Sequence, residues 1–233
     1  MTHDLIPTGP ERLAGIQMCA INARRLINDS ENVSDETAIV LLELALEEIA
    51  KGFMLVFRGT TTEENFEKAK GEAIDSVKKN KSLDDADRES VMKFYQEVGY
   101  NLFKDLSLEE FQNHNDRLDF LGLLVKFYSY MIIPGIKTLD LSKVVRKSFG
   151  SFMNIQPRRI MKGLKESKKI VEVLNAFHIR ELKDIRERGL YVSYERGLYF
   201  YPTANTLHLD YLDELANLLV EELASVVNNI RKS

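Results

Sequence analysis

The chain has 233 residues, of which 44% are hydrophobic and 29% are charged, an ordinary composition for one large soluble domain or two small ones. The net charge of −4 excludes a general basic field that would draw the protein onto nucleic acid. A local basic run remains at residues 144–169, where lysines and arginines have almost no acidic neighbours. Such a run most often forms the solvated face of a helix.

The cellular compartment is predicted from the cysteine count and from the apolar segments. Cys19 has no second cysteine with which to pair, which is typical of a reducing compartment. The first fifteen residues lack the layout of a signal peptide. The most apolar later segment, residues 120–135, is interrupted by Lys126 and is too short and polar for a membrane span. We therefore expect a cytoplasmic protein with no membrane association.

The amino-terminal part of the chain predicts three helices. The first spans about residues 10–28 and begins at Pro10, which suits the first helical position. The second runs from about Ser34 or Asp35, either of which is a plausible N-cap, to about Phe57. The third lies within residues 62–81, where charged residues outnumber apolar anchors. This third segment indicates an exposed element or an insertion arm.

The second helix raises the question of which carboxylates are buried. At about 100° per residue, five residues fall on one arc that we expect to face water: Glu43, Glu47, Lys51, Met54 and Arg58. Glu48 falls outside this arc among leucines, one turn from Lys51. A buried carboxylate needs a partner because stranding its charge is costly. We therefore expect Glu48 to lie inside, held by Lys51, Arg25 or Arg117.

The middle of the chain predicts a loop and then a long capped helix. Residues 82–90 predict a loop or cap before the next apolar segment. Ser107 and Glu110 form a Ser-x-x-Glu capping box, which begins a helix that ends near Pro134. Its apolar stripe has the helical repeat and includes a histidine. The stripe consists of Phe111, His114, Leu118, Leu121, Val125, Tyr128 and Ile132.

The carboxyl-terminal part predicts a helix at about residues 157–186, a short β-hairpin or flap at 189–203, and a last amphipathic helix at about 209–230. So many helices and so little strand predict an all-α bundle. We expect residues 1–233 to form a single helical domain, with a helical insertion or arm at residues 58–105. Polar groups from different helices would meet in the interior, where bundles commonly build sites.

No motif in the chain predicts a metal or a cofactor. Cys-x-x-Cys, His-Glu-x-x-His, paired Glu-x-x-His and the glycine-rich phosphate loops are absent. Glu110 and His114 have the four-residue spacing of a chelating pair, but no second pair of this kind exists. We therefore expect neither a metal nor a cofactor.

Three helices each carry two polar residues that are three positions apart. These pairs are Asn22 with Arg25, Glu48 with Lys51, and His114 with Arg117. One interpretation is a structural network that fixes the register of the helices. In the other interpretation, His114 transfers protons and a nearby arginine or lysine holds a phosphate. A histidine beside an arginine or a lysine is typical of a metal-independent ribonuclease. The same side chains would also suit a phosphate-binding pocket that performs no chemistry.

Four sequence blocks, in this order, resemble a known family. The blocks are INARRLINDSE, ALEEIAKGFML, FQNHNDRL and IRERGLYVSYERGLYFYP. They resemble the AbiV-type abortive-infection proteins, which defend bacteria against phage and are similar to the HEPN helical-bundle superfamily. The resemblance spans about residues 22–202 and implies a HEPN-like up-and-down bundle. Because such bundles often pair, it also implies a homodimer.

Carried over residue by residue, the resemblance implies catalytic roles for His114, Arg117 and Glu48. The residues that it assigns to substrate binding are Asn22, Arg25, Lys51, Arg186, Arg188 and Tyr191. It implies an effector that arrests phage and host growth by cleaving or binding RNA. The alternative is a defence protein without catalysis that binds a phage or host protein of the translation apparatus.

The chain departs from the HEPN pattern in one respect. Many HEPN ribonucleases carry an arginine that four to six residues separate from a following histidine. None of the four histidines here has an arginine at that distance upstream, and His114 is instead followed by Arg117. Ribonuclease activity is therefore not carried over together with the fold.

Overall fold

The computed structural model describes residues 9–59, 62–79, 81, 84–131, 193–195, 198–200 and 206–231. The helices are α1 (Gly9–Ser30), α2 (Asp35–Phe57), α3 (Glu63–Lys79), α4 (Asp85–Glu97), a 3-10 turn (Gly99–Leu102), α5 (Leu108–Gln112), α6 (His114–Met131) and α7 (Thr206–Arg231). Two strands, β1 (Ser193–Glu195) and β2 (Leu198–Phe200), pair antiparallel. The described protein is predominantly helical, as the sequence predicts. The basic run at 144–169, the predicted helix at 157–186 and most of the flap at 189–203 lie outside the described residues.

Helix α2 is the centre of the described core, because α1, α6 and α7 all pack against it. Its side chains are buried on nearly every side, from Ala38 to Phe57. Gly52 permits α1 and α7 to approach the backbone of α2 closely. A Cβ atom at this position would overlap the side chain of Leu223 and lie 3.3 Å from Cβ of Cys19. The missing side chain therefore lets α1 and α7 pack directly against α2.

The charged helix α3 is attached to the core through its aromatic residue. Phe66 is buried, with its ring centroid 6.0 Å from that of Tyr95, 5.8 Å from that of Tyr100 and 5.8 Å from that of Phe103. Most of the remaining described side chains of α3 are exposed or half-buried. The segment predicted as an arm thus exposes its charges and still contributes Phe66 to the core.

Helix α4 begins earlier than the sequence predicts. The stretch 82–90 was predicted to be a loop or cap, but the helix begins at Asp85. The nitrogen Nη1 of Arg88 lies 3.0 Å from the carboxylate of Asp85, a pairing across one helical turn. Acidic residues at a helix start also interact favourably with the helix dipole. Asp85 therefore belongs to the first turn of the helix and not to a loop.

The carboxyl end of α2 is capped by a buried arginine from α1. The guanidinium of Arg12 donates from Nε to the carbonyl of Leu55 and from Nη2 to the carbonyl of Arg58. The last carbonyls of a helix have no partner within the helix, so these two bonds supply donors that α2 lacks. Burial lowers the pKa of Arg12 to about 10, and the group stays charged at neutral pH.

No helix in the described ranges is both long enough and apolar enough to cross a membrane.

Candidate functional site

The buried carboxylates of α2 are Glu43 and Glu47, which is the opposite of the sequence-based expectation. Their residues are 0% and 3% exposed, and Met54 and Arg58 of the same predicted wet arc are also buried. The prediction was wrong because α6 packs against α2 and covers the two carboxylates with polar side chains of its own. A polar arc on one helix faces water only when no neighbouring helix supplies charged or hydrogen-bonding partners for its side chains.

The histidine that meets these carboxylates lies at the first residue of a separate helix. One helix was predicted from Ser107 to Pro134, but α5 ends at Gln112 and α6 begins at His114. Asn113 causes the break, because its side-chain oxygen accepts from the backbone N–H of Asn115 at 2.8 Å, the bonding of an N-cap. The predicted Ser107 cap is confirmed, since its Oγ accepts from the N–H of Glu110 at 3.1 Å.

His114 lies between the two buried carboxylates. Its Nδ1 is 2.7 Å from Oε1 of Glu47, and its Nε2 is 3.7 Å from Oε1 of Glu43. Because Glu43 and Glu47 are four residues apart, they project from the same face of α2. The side chain of His114 is 29% exposed, so the ring reaches solvent while its carboxylate partners are buried. We call Glu43, Glu47, His114 and Arg117 the α2–α6 cluster.

Arg117 holds the cluster together from its second side. Its Nη2 pairs with Oε2 of Glu47, and its Nη1 donates to the carbonyls of Phe111 at 3.2 Å and Gln112 at 3.0 Å. These carbonyls belong to the last turn of α5, so the guanidinium joins the end of α5 to α2. Arg117 therefore acts as a positioning residue, and much of its donor capacity is used within the protein.

The pair Glu48 and Lys51 forms as predicted but does not belong to this cluster. Lys51 donates to the carboxylate of Glu48, and both side chains are partly buried. Arg25 does not join them: it donates to Asn22 at 3.0 Å and pairs with Asp29 at 2.8 Å on the exposed side of α1. The expected network of three polar pairs is therefore divided, because α1 turns its pair away from the interior.

The remaining predicted site residues do not meet the α2–α6 cluster within the described ranges. Glu110, the chelating candidate four residues before His114, pairs with Lys104 instead. The helix break at Asn113 separates it from His114. The substrate-binding candidates Arg186, Arg188 and Tyr191 lie outside the described residues.

Two other buried polar groups have no sequence-based prediction of function. Burial, and then the charge of Glu222, raises the pKa of the Tyr128 hydroxyl well above its usual value. The thiol of Cys19 has a pKa raised to about 12, first by burial and then by the charge of Glu48. Cys19 is therefore a packed, unreactive thiol.

The cluster combines three chemical capacities. An imidazole held by a carboxylate can transfer protons near neutral pH. Two carboxylates and an imidazole are also metal ligands, and one atom from each of Glu43, Glu47 and His114 lies within 4.8 Å of the other two. Finally, the ion pairs join α2 to α6. Sequence reasoning missed Glu43 and Glu47, although their four-residue spacing was visible.

Replacing Asn113 by alanine is expected to lower the free energy of unfolding by about 1 kcal/mol, because α6 loses its N-cap. Aspartate at the same position keeps an accepting oxygen and should retain most of the stability. Thermal unfolding of the two variants measures the difference. An alanine variant as stable as the aspartate variant would show that the cap does not hold the start of α6.

No family model matches the chain, and no curated protein or solved structure matches it either. The resemblance to AbiV-type proteins therefore stays a prediction from the sequence.

Proposed function

We propose that the protein is a phage-defence effector that arrests phage and host growth by acting on RNA at the α2–α6 cluster. The observation that supports this proposal is the 2.7 Å contact between Nδ1 of His114 and Glu47. Glu47 belongs to the block ALEEIAKGFML, and His114 with Arg117 belongs to FQNHNDRL. The contact thus joins two of the blocks on which the family resemblance rests.

In this proposal His114 is the group that contacts the substrate. The N–H at Nδ1 donates a hydrogen bond to the carboxylate of Glu47, and this bond fixes the orientation of the ring. Nε2 lies on the side of Glu43, and the partial exposure of the side chain gives an incoming group access to the ring. Glu47 and Arg117 are positioning residues. Glu48, with Lys51, has no direct role in the cluster.

The proposal also includes a HEPN-like arrangement of the helices, a homodimer and a cytoplasmic location. The family resemblance supports the first two. The single cysteine supports the third, because unpaired cysteines suit a reducing compartment. The helical content of the described residues is compatible with such a bundle.

A second candidate is a defence protein without catalysis that binds a phage or host protein of the translation apparatus. One observation favours it: Glu43 and Glu47 place two carboxylates beside His114, and like charges would repel a phosphodiester. Arg117 does not offset this repulsion fully, since it already binds Glu47 and two carbonyls. For this candidate, charge reversal on the exposed face of α3 would remove growth arrest.

The test compares the wild-type protein with the variant His114→Gln, each induced in a bacterial host with and without phage. The measurements are gels of total RNA and growth curves. The matched control is Glu221→Gln, which changes an exposed carboxylate on α7 that pairs with Arg24 at the surface. We expect fragmented RNA and growth arrest with wild type and control, and intact RNA with His114→Gln. Circular dichroism of each variant checks the fold.

Intact RNA together with growth arrest in all three proteins would reject the proposed action on RNA. That result would favour the second candidate, which predicts arrest without RNA damage. Charge reversal at Lys78 and Lys79, in the exposed last turn of α3, would then be compared with wild type.

A further inference from the structure

We infer that the α2–α6 cluster binds a divalent first-row transition-metal cation. Glu43 and Nε2 of His114 are the direct ligands, and Glu47 holds the imidazole in place. The sequence predicts no metal, because it lacks every common ligand motif. The inference comes from side chains of two helices that only the fold brings together. It does not depend on the proposed action on RNA; where both hold, the cation on Nε2 takes the place of the imidazole as the group that faces the RNA.

The distances between the ligand atoms suit one cation. Metal–ligand bonds to imidazole nitrogen and carboxylate oxygen are about 2.0–2.2 Å long, so neighbouring ligand atoms on one cation lie about 3–3.5 Å apart. Nε2 of His114 is 3.7 Å from Oε1 of Glu43. A shift of a few tenths of an ångström in two side chains therefore completes this pair of ligands.

The other ring nitrogen is already held as metal-binding histidines usually are. Nδ1 of His114 lies 2.7 Å from Oε1 of Glu47. In the neutral ring with its proton on Nδ1, the N–H donates to Glu47 and the lone pair is on Nε2. Such a carboxylate–histidine–metal arrangement fixes the tautomer and raises the basicity of the ligand. Arg117 pairs with the second oxygen of Glu47 and so fixes the orientation of that carboxylate in turn.

The backbone that carries the ligands is also held in place. Glu43 lies in the middle of α2, the central helix of the described core. His114 is the first residue of α6, where the side chain of Asn113 caps the helix. Ligands on well-packed elements keep their geometry better than ligands on loops.

The ligand types and the exposure indicate the class of cation. A mixed set of imidazole and carboxylate suits manganese, iron or zinc ions better than magnesium or calcium ions, which prefer oxygen alone. Glu43 is fully buried, whereas the His114 side chain is 29% exposed. The exposed side supplies an entry path, and water bound there would complete the coordination of the cation.

Calorimetric titration of the full-length protein, stripped with a chelator, with Mn²⁺ and Zn²⁺ tests the inference. We expect saturable binding of one cation per chain to wild type and loss of that binding in Glu43→Gln and in His114→Gln. Glu47→Gln should weaken binding by about 10- to 100-fold, as other changes to a supporting carboxylate do. The control Glu48→Gln, which alters the neighbouring carboxylate on α2, should bind like wild type. Absence of binding to wild type, or binding by Glu43→Gln and His114→Gln as tight as that of wild type, would overturn the inference.

A second measurement needs no variant that could fail to fold. Pulsed electron paramagnetic resonance of Mn²⁺ bound to wild-type protein labelled with ¹⁵N-histidine should show coupling to an imidazole nitrogen. A spectrum with water coordination alone would reject the site. The two proposals fail separately: intact cellular RNA with a bound cation removes only the action on RNA, and cleaved RNA without cation binding removes only the metal site.

Discussion

Replacing Glu47 by alanine is expected to lower the free energy of unfolding by about 3–5 kcal/mol, the usual loss when one partner of a buried ion pair is removed. Glu47 is 3% exposed and pairs with Arg117, whose side chain is 13% exposed. The change leaves the guanidinium in the interior without its carboxylate and also removes the partner of Nδ1 of His114. Urea unfolding of the chelator-treated protein measures the loss.

The matched control for this prediction is Glu48→Ala, one residue further along α2. Among the residues that the structure describes, Glu48 pairs with Lys51 in a more exposed position, so its removal should cost about 1 kcal/mol or less. Equal losses at the two positions would contradict the assignment of Glu47 as the interior carboxylate. In addition, Arg117→Ala should cost less in the Glu47→Ala background than in wild type, because the two side chains are coupled.

Replacing Arg12 by methionine is expected to lower the free energy of unfolding by about 2–4 kcal/mol. Arg12 is 1% exposed and donates to the carbonyls of Leu55 and Arg58. A buried carbonyl that loses its donor costs about 1–3 kcal/mol. Methionine keeps much of the packed volume of the side chain, so the measured loss reports mainly on the cap of α2. Thermal and urea unfolding should agree on the size of the effect.

The control for Arg12 is Arg24→Met, the same substitution on the same helix. Arg24 pairs with Glu221 of α7, and both side chains are substantially exposed. Its replacement should therefore change the stability by about 0.5 kcal/mol or less. Equal losses for Arg12→Met and Arg24→Met would contradict the capping role of Arg12.

A cation bound in the α2–α6 cluster would compensate the negative charge of the two carboxylates. Two buried carboxylates on one helix face repel each other, and Arg117 carries one compensating positive charge. A divalent cation on Glu43 would add further compensation at the place where His114 reaches solvent. If RNA is the substrate, such a cation would also offset the repulsion that the two carboxylates exert on a phosphodiester.

Local signals predicted several helix boundaries closely. The first helix was predicted at about 10–28, and the second from Ser34 or Asp35 to about Phe57. Both differ from α1 and α2 by no more than two residues at either end. The Ser107 cap forms as predicted because its hydrogen bond joins residues only three positions apart. The Glu48–Lys51 pair is equally local. Interactions within one helical turn depend little on the rest of the chain.

The prediction of one long helix through Asn113 was wrong because two local signals in the sequence compete at that residue. The apolar stripe continues through residues 111–125 and favours one helix. Asn113 can accept from the backbone of the next turn and favours a new helix start. The carbonyls exposed at the end of α5 then bind Arg117, which also pairs with Glu47 on α2. A contact with a distant helix thus supports the break.

The sequence by itself determined the predominantly helical class, the ends of α1 and α2 to within two residues, and the cap at Ser107. Only the tertiary structure decided which carboxylates of α2 are interior. Periodicity within α2 distinguishes a polar arc from an apolar one, but it contains no information about what packs against that arc. Because α6 brings His114 and Arg117 to Glu43 and Glu47, a face that looks solvated in sequence becomes the buried site.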